Sequence, residues 1–209
     1  MAAWTLSVFR DRSESTMLTL YKSMIRSRLE YNSPLWNPSK ITDIQTLESI
    51  QRSFTSKIDQ CKTLNYHERL VKLKLMSLQR RRERYIIIHI YKVLQGISPN
   101  DTNVKFIYSD RRGIQAIIPP LHRQASSRAQ QKYDSSFSVL GPKLWNLLPK
   151  STTLQPTLAS FKSSLQKFLD ATPDKPPVRG YTTANPNSLL HWRGQNIDGG
   201  LRTAARWPR

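Results

Sequence analysis

The 209-residue chain has one cysteine, Cys61. An intramolecular disulfide is therefore excluded. The scattered histidines His67, His89, His122 and His191 do not complete a zinc set with it. A reducing compartment, nucleus or cytosol, is the expectation. Acidic residues are scarce as well, 14 against 33 Lys and Arg, and none forms an Asp-Asp pair or an Asp-x-Asp pattern. Nucleotidyl transfer needs clustered carboxylates that hold a pair of Mg²⁺ ions. The sequence also lacks a Gly-x-Ser-x-Gly elbow, a P-loop and a Cys/His pair in a catalytic setting. No catalytic residue, metal ligand or cofactor is expected of this chain alone. Long apolar runs are missing too. Tyr85 to Leu94 is the most apolar stretch, contains His89 and Lys92, and is far too short to span a bilayer. Met1 to Phe9 is apolar but has no basic n-region, so it does not read as a secretory signal. No membrane partner is expected.

What the chain has in excess is positive charge, formally +19 and spread over both halves. Self-repulsion of this size disfavours compactness, and a polyanion relieves it. Nucleic acid is the commonest polyanion, and counterion release would give salt-sensitive, sequence-independent affinity. A hydrophobic content of 38% allows a modest core.

The periodicity is mainly helical. Ser13 or Ser15 caps an expected helix to about Tyr31, with Met17, Leu18, Tyr21, Met24, Ile25 and Leu29 on one stripe. Pro34 ends it. Ser39 or Thr42 caps a second, through about Ile58, with Ile44, Leu47, Gln51, Phe54 and Ile58 in line. Two such helices on so short a link form a hairpin. Asn65 to Glu68 opens a short third helix that turns Leu70, Leu73 and Leu75 inward. Ser77 caps a fourth, Leu78 to Gln95, stopped by Gly96. Ile86-Ile87-Ile88 has strand propensity, but the length of the pattern favours helix.

Beyond Pro99 the pattern weakens. Short extended pieces are expected at Ile114–Ile118 and Phe137–Leu140, with a loop or weak helix over Ala125–Gln131. Pro142 and Pro156 each stand at the first position of a helix, the second running to Leu169 with Leu158, Phe161, Leu165 and Phe168 inward. From Ala171 on, Pro, Gly, Asn and Thr dominate. The expected fold is mainly α: a helical hairpin or bundle, then a small irregular α+β segment, then a disordered tail. The corresponding units are 1–97, 98–170 and 171–209, the last extended or disordered.

The densest basic site opens the fourth helix: Arg80, Arg81, Arg82 and Arg84, with Lys72 and Lys74 just upstream. Four guanidiniums within about 1.5 turns cannot all face an apolar core. Cations at a helix N-terminus also oppose its dipole. The cluster reads as an outward phosphate-contact patch, doubling as a nuclear import signal. A solvated helix face is the plain alternative. Tyr31, Trp36, Tyr66, Tyr85 and Tyr91 offer rings for stacking on bases, but aromatics at such spacing more often pack inside.

Several strings resemble one family. LYKSMIRSRLEY (20–31) and SPLWNP (33–38) are similar to a segment downstream of the palm in non-LTR (jockey-like, LINE-type) retrotransposon reverse transcriptases. So are IQTLESIQRSFT (44–55), YHERL (66–70), LMSLQRRR (75–82), YDSSF (133–137), GPKLWNLLP (141–149) and the helix from Phe161 to Leu169. Pro173 to Thr182 and Asn187 to Leu190 resemble the tail of some members. The blocks fall in the family's order and cover about residues 4–194. The resemblance implies the thumb-like and C-terminal parts of an RNA-directed DNA polymerase. Its partners would be RNA, an RNA–DNA hybrid or the DNA backbone, and the polymerase palm of a full-length element protein. The family's catalytic carboxylates lie in a Tyr/Phe-x-Asp-Asp motif that has no counterpart here. The chain by itself is thus expected to be no enzyme, with Mg²⁺ belonging to the missing palm. Trp36 and Trp145 are expected to be structural. Three other readings stand beside this one: a non-functional truncated remnant, a domesticated RNA- or protein-binding scaffold, and a polymerase whose remainder lies in a longer gene.

Overall fold

The computed structural model describes residues 2–101, 103–121, 126–180 and 187–194. It is mainly helical, with one small two-stranded sheet. Two apolar clusters form its core.

The first cluster is built by the N-terminal helices. Helix α1 is Ala2–Val8 and α2 is Glu14–Leu20. A π-helical turn, Tyr21–Arg26, and α3, Ser27–Glu30, continue α2. Ser13 stands at the N-cap of α2, although its side chain makes no cap bond. The Asp11 carboxylate instead accepts from Ser13 N and Thr16 Oγ1. Three hydroxyls on this long helix donate back to the carbonyl four residues earlier: Thr19 to Ser15, Ser23 to Thr19 and Ser27 to Ser23. Such back-bonding competes with the helical ladder, and wider turns occur where it is disturbed. The stripe stays in register, and Met17, Tyr21 and Ile25 are buried.

Helix α4, Ile41–Thr55, packs against this helix through Phe54, whose ring lies 5.7 Å from that of Tyr21. Lys40, not Ser39 or Thr42, occupies its N-cap, and Ile58 lies past its end, buried before a 3-10 turn at Asp59–Cys61. Helix α5, Tyr66–Lys72, begins with a full capping box between Asn65 and Glu68. Leu70 is buried within it, and Leu73 and Leu75 are buried just past its end.

Helix α6, Leu78–Leu94, is the longest, with Ser77 Oγ accepting from Arg80 N at its start. Gly96 follows its end at φ 66°. Its isoleucines belong to the second cluster, with Leu144, Trp145, Phe161 and Leu165. A boundary at 97 therefore falls just past a helix whose apolar side serves the C-terminal unit.

Strand β1, Phe106–Ser109, pairs antiparallel with β2, Gly113–Ala116. The second strand overlaps the expected extended piece at Ile114–Ala116 but starts one residue earlier, and its partner had no sequence signal. Gly113 sits at φ 75°, and an added Cβ would lie 2.8 Å from Thr153 Oγ1. Gly113→Ala is expected to cost about 2 kcal/mol from left-handed strain plus overlap. Urea unfolding checks this, and an unchanged midpoint would contradict it.

Helices α7, Ser127–Ser135, and α8, Phe137–Trp145, follow. The extended reading of Phe137–Leu140 is corrected: this stretch is the first part of α8, and Pro142 lies inside the helix rather than at its first position. Gly141 explains the arrangement. A Cβ there would meet Ile90 Cδ1 at 2.9 Å, so the missing side chain lets α8 lie close against α6. Short α9, Lys150–Thr153, leads to α10, Leu158–Asp170. Thr157 and Ser160 cap α10 with a reciprocal box, which places Pro156 before the cap and not at the first helical position. Phe161, Leu165 and Leu169 face inward, while Leu158 and Phe168 are half-buried.

The tail, where described, has no regular secondary structure over 173–178 and ends in a 3-10 turn, Leu189–Gly194. It is packed: Val178, Asn187 and Leu189 are buried. Residues 181–186 and 195–209 of the tail, and Ala125 at the start of the expected 125–131 segment, lie outside the described residues.

Candidate functional site

The basic cluster of α6 is arranged otherwise than its charge suggests. Arg80 and Arg82 are each only 1% exposed. The outward placement of the whole cluster is corrected by this burial, and the physical reason is long-range. The tail crosses the first turns of α6. Arg80 Nη2 donates to Pro173 O at 3.0 Å and to Asn187 O at 3.2 Å. Ser77 N donates to Asp174 Oδ2 at 2.7 Å, and Leu189 N donates to Glu83 Oε2 at 3.1 Å. Arg82 is covered from the other side by the 31–38 turn, where Nε donates to Asn37 Oδ1 at 3.1 Å and the guanidinium lies 6.0 Å from the Trp36 ring.

Carboxylates match this buried charge. Glu48 accepts from Tyr66 Oη at 2.6 Å and from Gln79 N at 3.0 Å. Glu83 lies 3.9 Å from Arg80 Nε. Asp174 and Glu48 thus both meet amides at the start of α6, where negative charge is favourable. The objection that cations oppose the helix dipole is answered within the fold. Burial pushes both Glu48 and Glu83 up from 4.5 to about 7, despite their hydrogen bonds and nearby arginines. Burial also holds Arg82 below its ordinary value, against the pull of Glu48.

Arg81 is part-buried and engages Glu30 through Nε and, at 2.9 Å, through Nη2. Tyr85 Oη joins them, accepting from Arg81 Nη2 and donating to Glu30 Oε2. Lys72 is exposed, and its Nζ donates to Gln60 O at 2.6 Å. Lys74 is exposed at φ 49°. Arg84 is half-buried, and its Nε has no acceptor. Burial, then the charge of Arg81, lowers its pKa.

Of the six sequence candidates, four line one cleft of about 800 Å³: Lys74, Arg80, Arg81 and Arg84. Lys72 and Arg82 lie outside its lining, and Arg82 is buried. The cleft adds Lys22 and Arg26 from the π-helical turn and Lys175 from the tail. Charge count alone did not find these three, because they come from segments distant in sequence. Among the described residues, Asp170 and Asp174 are the acids of its lining. Arg80 Nε and Nη1 and Arg84 Nε are buried without a hydrogen-bond acceptor among the described residues.

Among the described residues, no group of three His, Cys, Asp or Glu is placed to hold a metal ion. No described helix is long and apolar enough to cross a membrane. Tyr66 and Tyr91 are buried, so neither presents a ring to a base, while Tyr31 is 79% exposed. Trp145 is wholly buried and donates to Ile114 O at 2.8 Å. Trp36 donates to Tyr31 O at 2.7 Å and holds the turn it belongs to. No family model, curated protein or solved structure matches this chain.

Proposed function

We propose that the chain is a nucleic-acid-binding module without chemistry of its own. By the resemblance of its sequence, it would be the thumb-like and C-terminal region of a non-LTR retrotransposon reverse transcriptase. The observation that supports binding is the 800 Å³ cleft, where Lys22, Arg26, Lys74, Arg81, Arg84 and Lys175 converge against two acids. Its ligand would be a phosphate backbone of RNA, DNA or their hybrid, gripped mainly by charge. Leu35 and Trp36, exposed on one turn, offer an apolar surface for the polymerase palm of a full-length element protein. Nuclear or cytoplasmic residence fits both roles.

A titration of the chain with an RNA–DNA hybrid at several salt concentrations tests this reading. About four to six phosphate contacts should give a slope of log affinity against log salt near −3 to −5. A slope near zero, or no binding at low salt, would contradict it.

A further inference from the structure

A second cleft, of about 470 Å³, shares the rim made by Lys22, Arg26 and Arg81. Its other walls are the turn after α3, with Tyr31 and Ser33, and the middle of α6, with Tyr85, Ile88, His89 and Lys92. Its chemistry differs from that of the first. Ser33 is fully buried, its N donates to Glu30 O at 3.1 Å, and its hydroxyl has no partner among the described residues. Aromatic and apolar side chains line it beside the cations. Burial, then the charge of Lys92, holds His89 below its ordinary pKa and so favours a neutral ring near pH 7.

The charges are unevenly used. Glu30 takes up Arg81 and lies 3.8 Å from Arg26. Lys92 has no acidic partner among the described residues, and no acid other than Glu30 lines the cleft. The complementary ligand is therefore an anion with a flat, mostly apolar part and a polar edge. A nucleotide has both parts. A volume of 470 Å³ also falls in the usual range for small-ligand sites, roughly 300–1,000 Å³.

We propose that this cleft takes one unpaired nucleotide. Its base rests against Tyr85, Ile88 and His89, and Lys92 meets the phosphate. The proposal rests on the nucleic-acid reading and sharpens it. A paired base is covered on both faces, so only a splayed base enters such a pocket. The chain should then prefer single strands or unpaired ends, with the shared basic rim guiding the backbone from one cleft into the other.

Photocrosslinking tests this with the intact chain. The probes are a single-stranded oligothymidylate carrying 5-iodouracil, the same strand paired with oligoadenylate, and AMP as competitor. The single strand should crosslink at Tyr31, Tyr85 or His89, and the duplex should not. Lys92→Gln should weaken single-strand binding about five- to tenfold, on the scale of one charge-assisted contact. Competition by AMP, with none from inorganic phosphate, would identify a nucleotide as the ligand. Saturable AMP binding without any strand would point to a free nucleotide as the source. Salt-sensitive binding with crosslinks elsewhere would overturn the pocket and leave the binding module standing. No binding of any probe would overturn both.

Discussion

Replacing Arg80 with glutamine is expected to lower the unfolding free energy by about 3 kcal/mol while leaving most of the salt dependence of nucleic-acid binding intact. The guanidinium is 1% exposed, and it ties the tail to α6 through Pro173 O and Asn187 O. Removing it strands two carbonyls and leaves Glu83 without its nearest cation. The same substitution on an outward phosphate contact would cost almost no stability and would lower the salt slope by about one. Urea unfolding and a salt titration of one variant distinguish the two arrangements. A stable variant with a reduced slope would return Arg80 to the surface.

The second large effect is on pH. Glu48 and Glu83 titrate near pH 7 in the fold and near 4.5 when unfolded. The folded chain therefore holds protons that the unfolded chain releases. The stability they carry is fully present below about pH 4.5 and is lost as pH rises through about 7. Each carboxyl accounts for on the order of 3 kcal/mol over that window. Unfolding free energy should fall between pH 5 and pH 8, even as deprotonation lowers the net positive charge. Glu48→Gln cannot titrate, so its pH profile should be flatter than that of the parent chain by about that amount. Identical profiles would show that Glu48 is ionised throughout.

The helical skeleton was legible because its signals are local. Asn65 with Glu68, Ser77 before α6 and Gly96 after it are caps that need no tertiary context. The stripes Met17–Tyr21–Ile25 and Phe161–Leu165 follow the helical period and are buried. Failures came where a distant segment decides. Glu48 looks like one more surface acid on α4, yet it is buried because Tyr66 and the start of α6 supply donors. Arg80 and Arg82 look like a surface patch, yet the tail and the 31–38 turn close over them. Phe137–Leu140 carries strand-like residues followed by Gly-Pro, but Gly141 permits a close approach to Ile90 that favours helix. Of the cleft lining, Lys74, Arg80, Arg81 and Arg84 stand out in the sequence by charge density. Lys22, Arg26 and Lys175 needed the fold.

The central claim is that binding is carried by the cleft and not by net charge. The most direct measurement compares the salt slope of two triple variants on the same RNA–DNA hybrid. One carries Lys22→Gln, Lys74→Gln and Arg84→Gln, all in the cleft lining. The other carries Arg128→Gln, Lys132→Gln and Lys162→Gln, which are exposed and line neither cleft. Both lose three charges. The cleft variant should lose about 2–3 from the magnitude of the slope, and the control less than about 1. Equal losses in the two variants would mean that the chain binds through diffuse charge, and the cleft would no longer be the site.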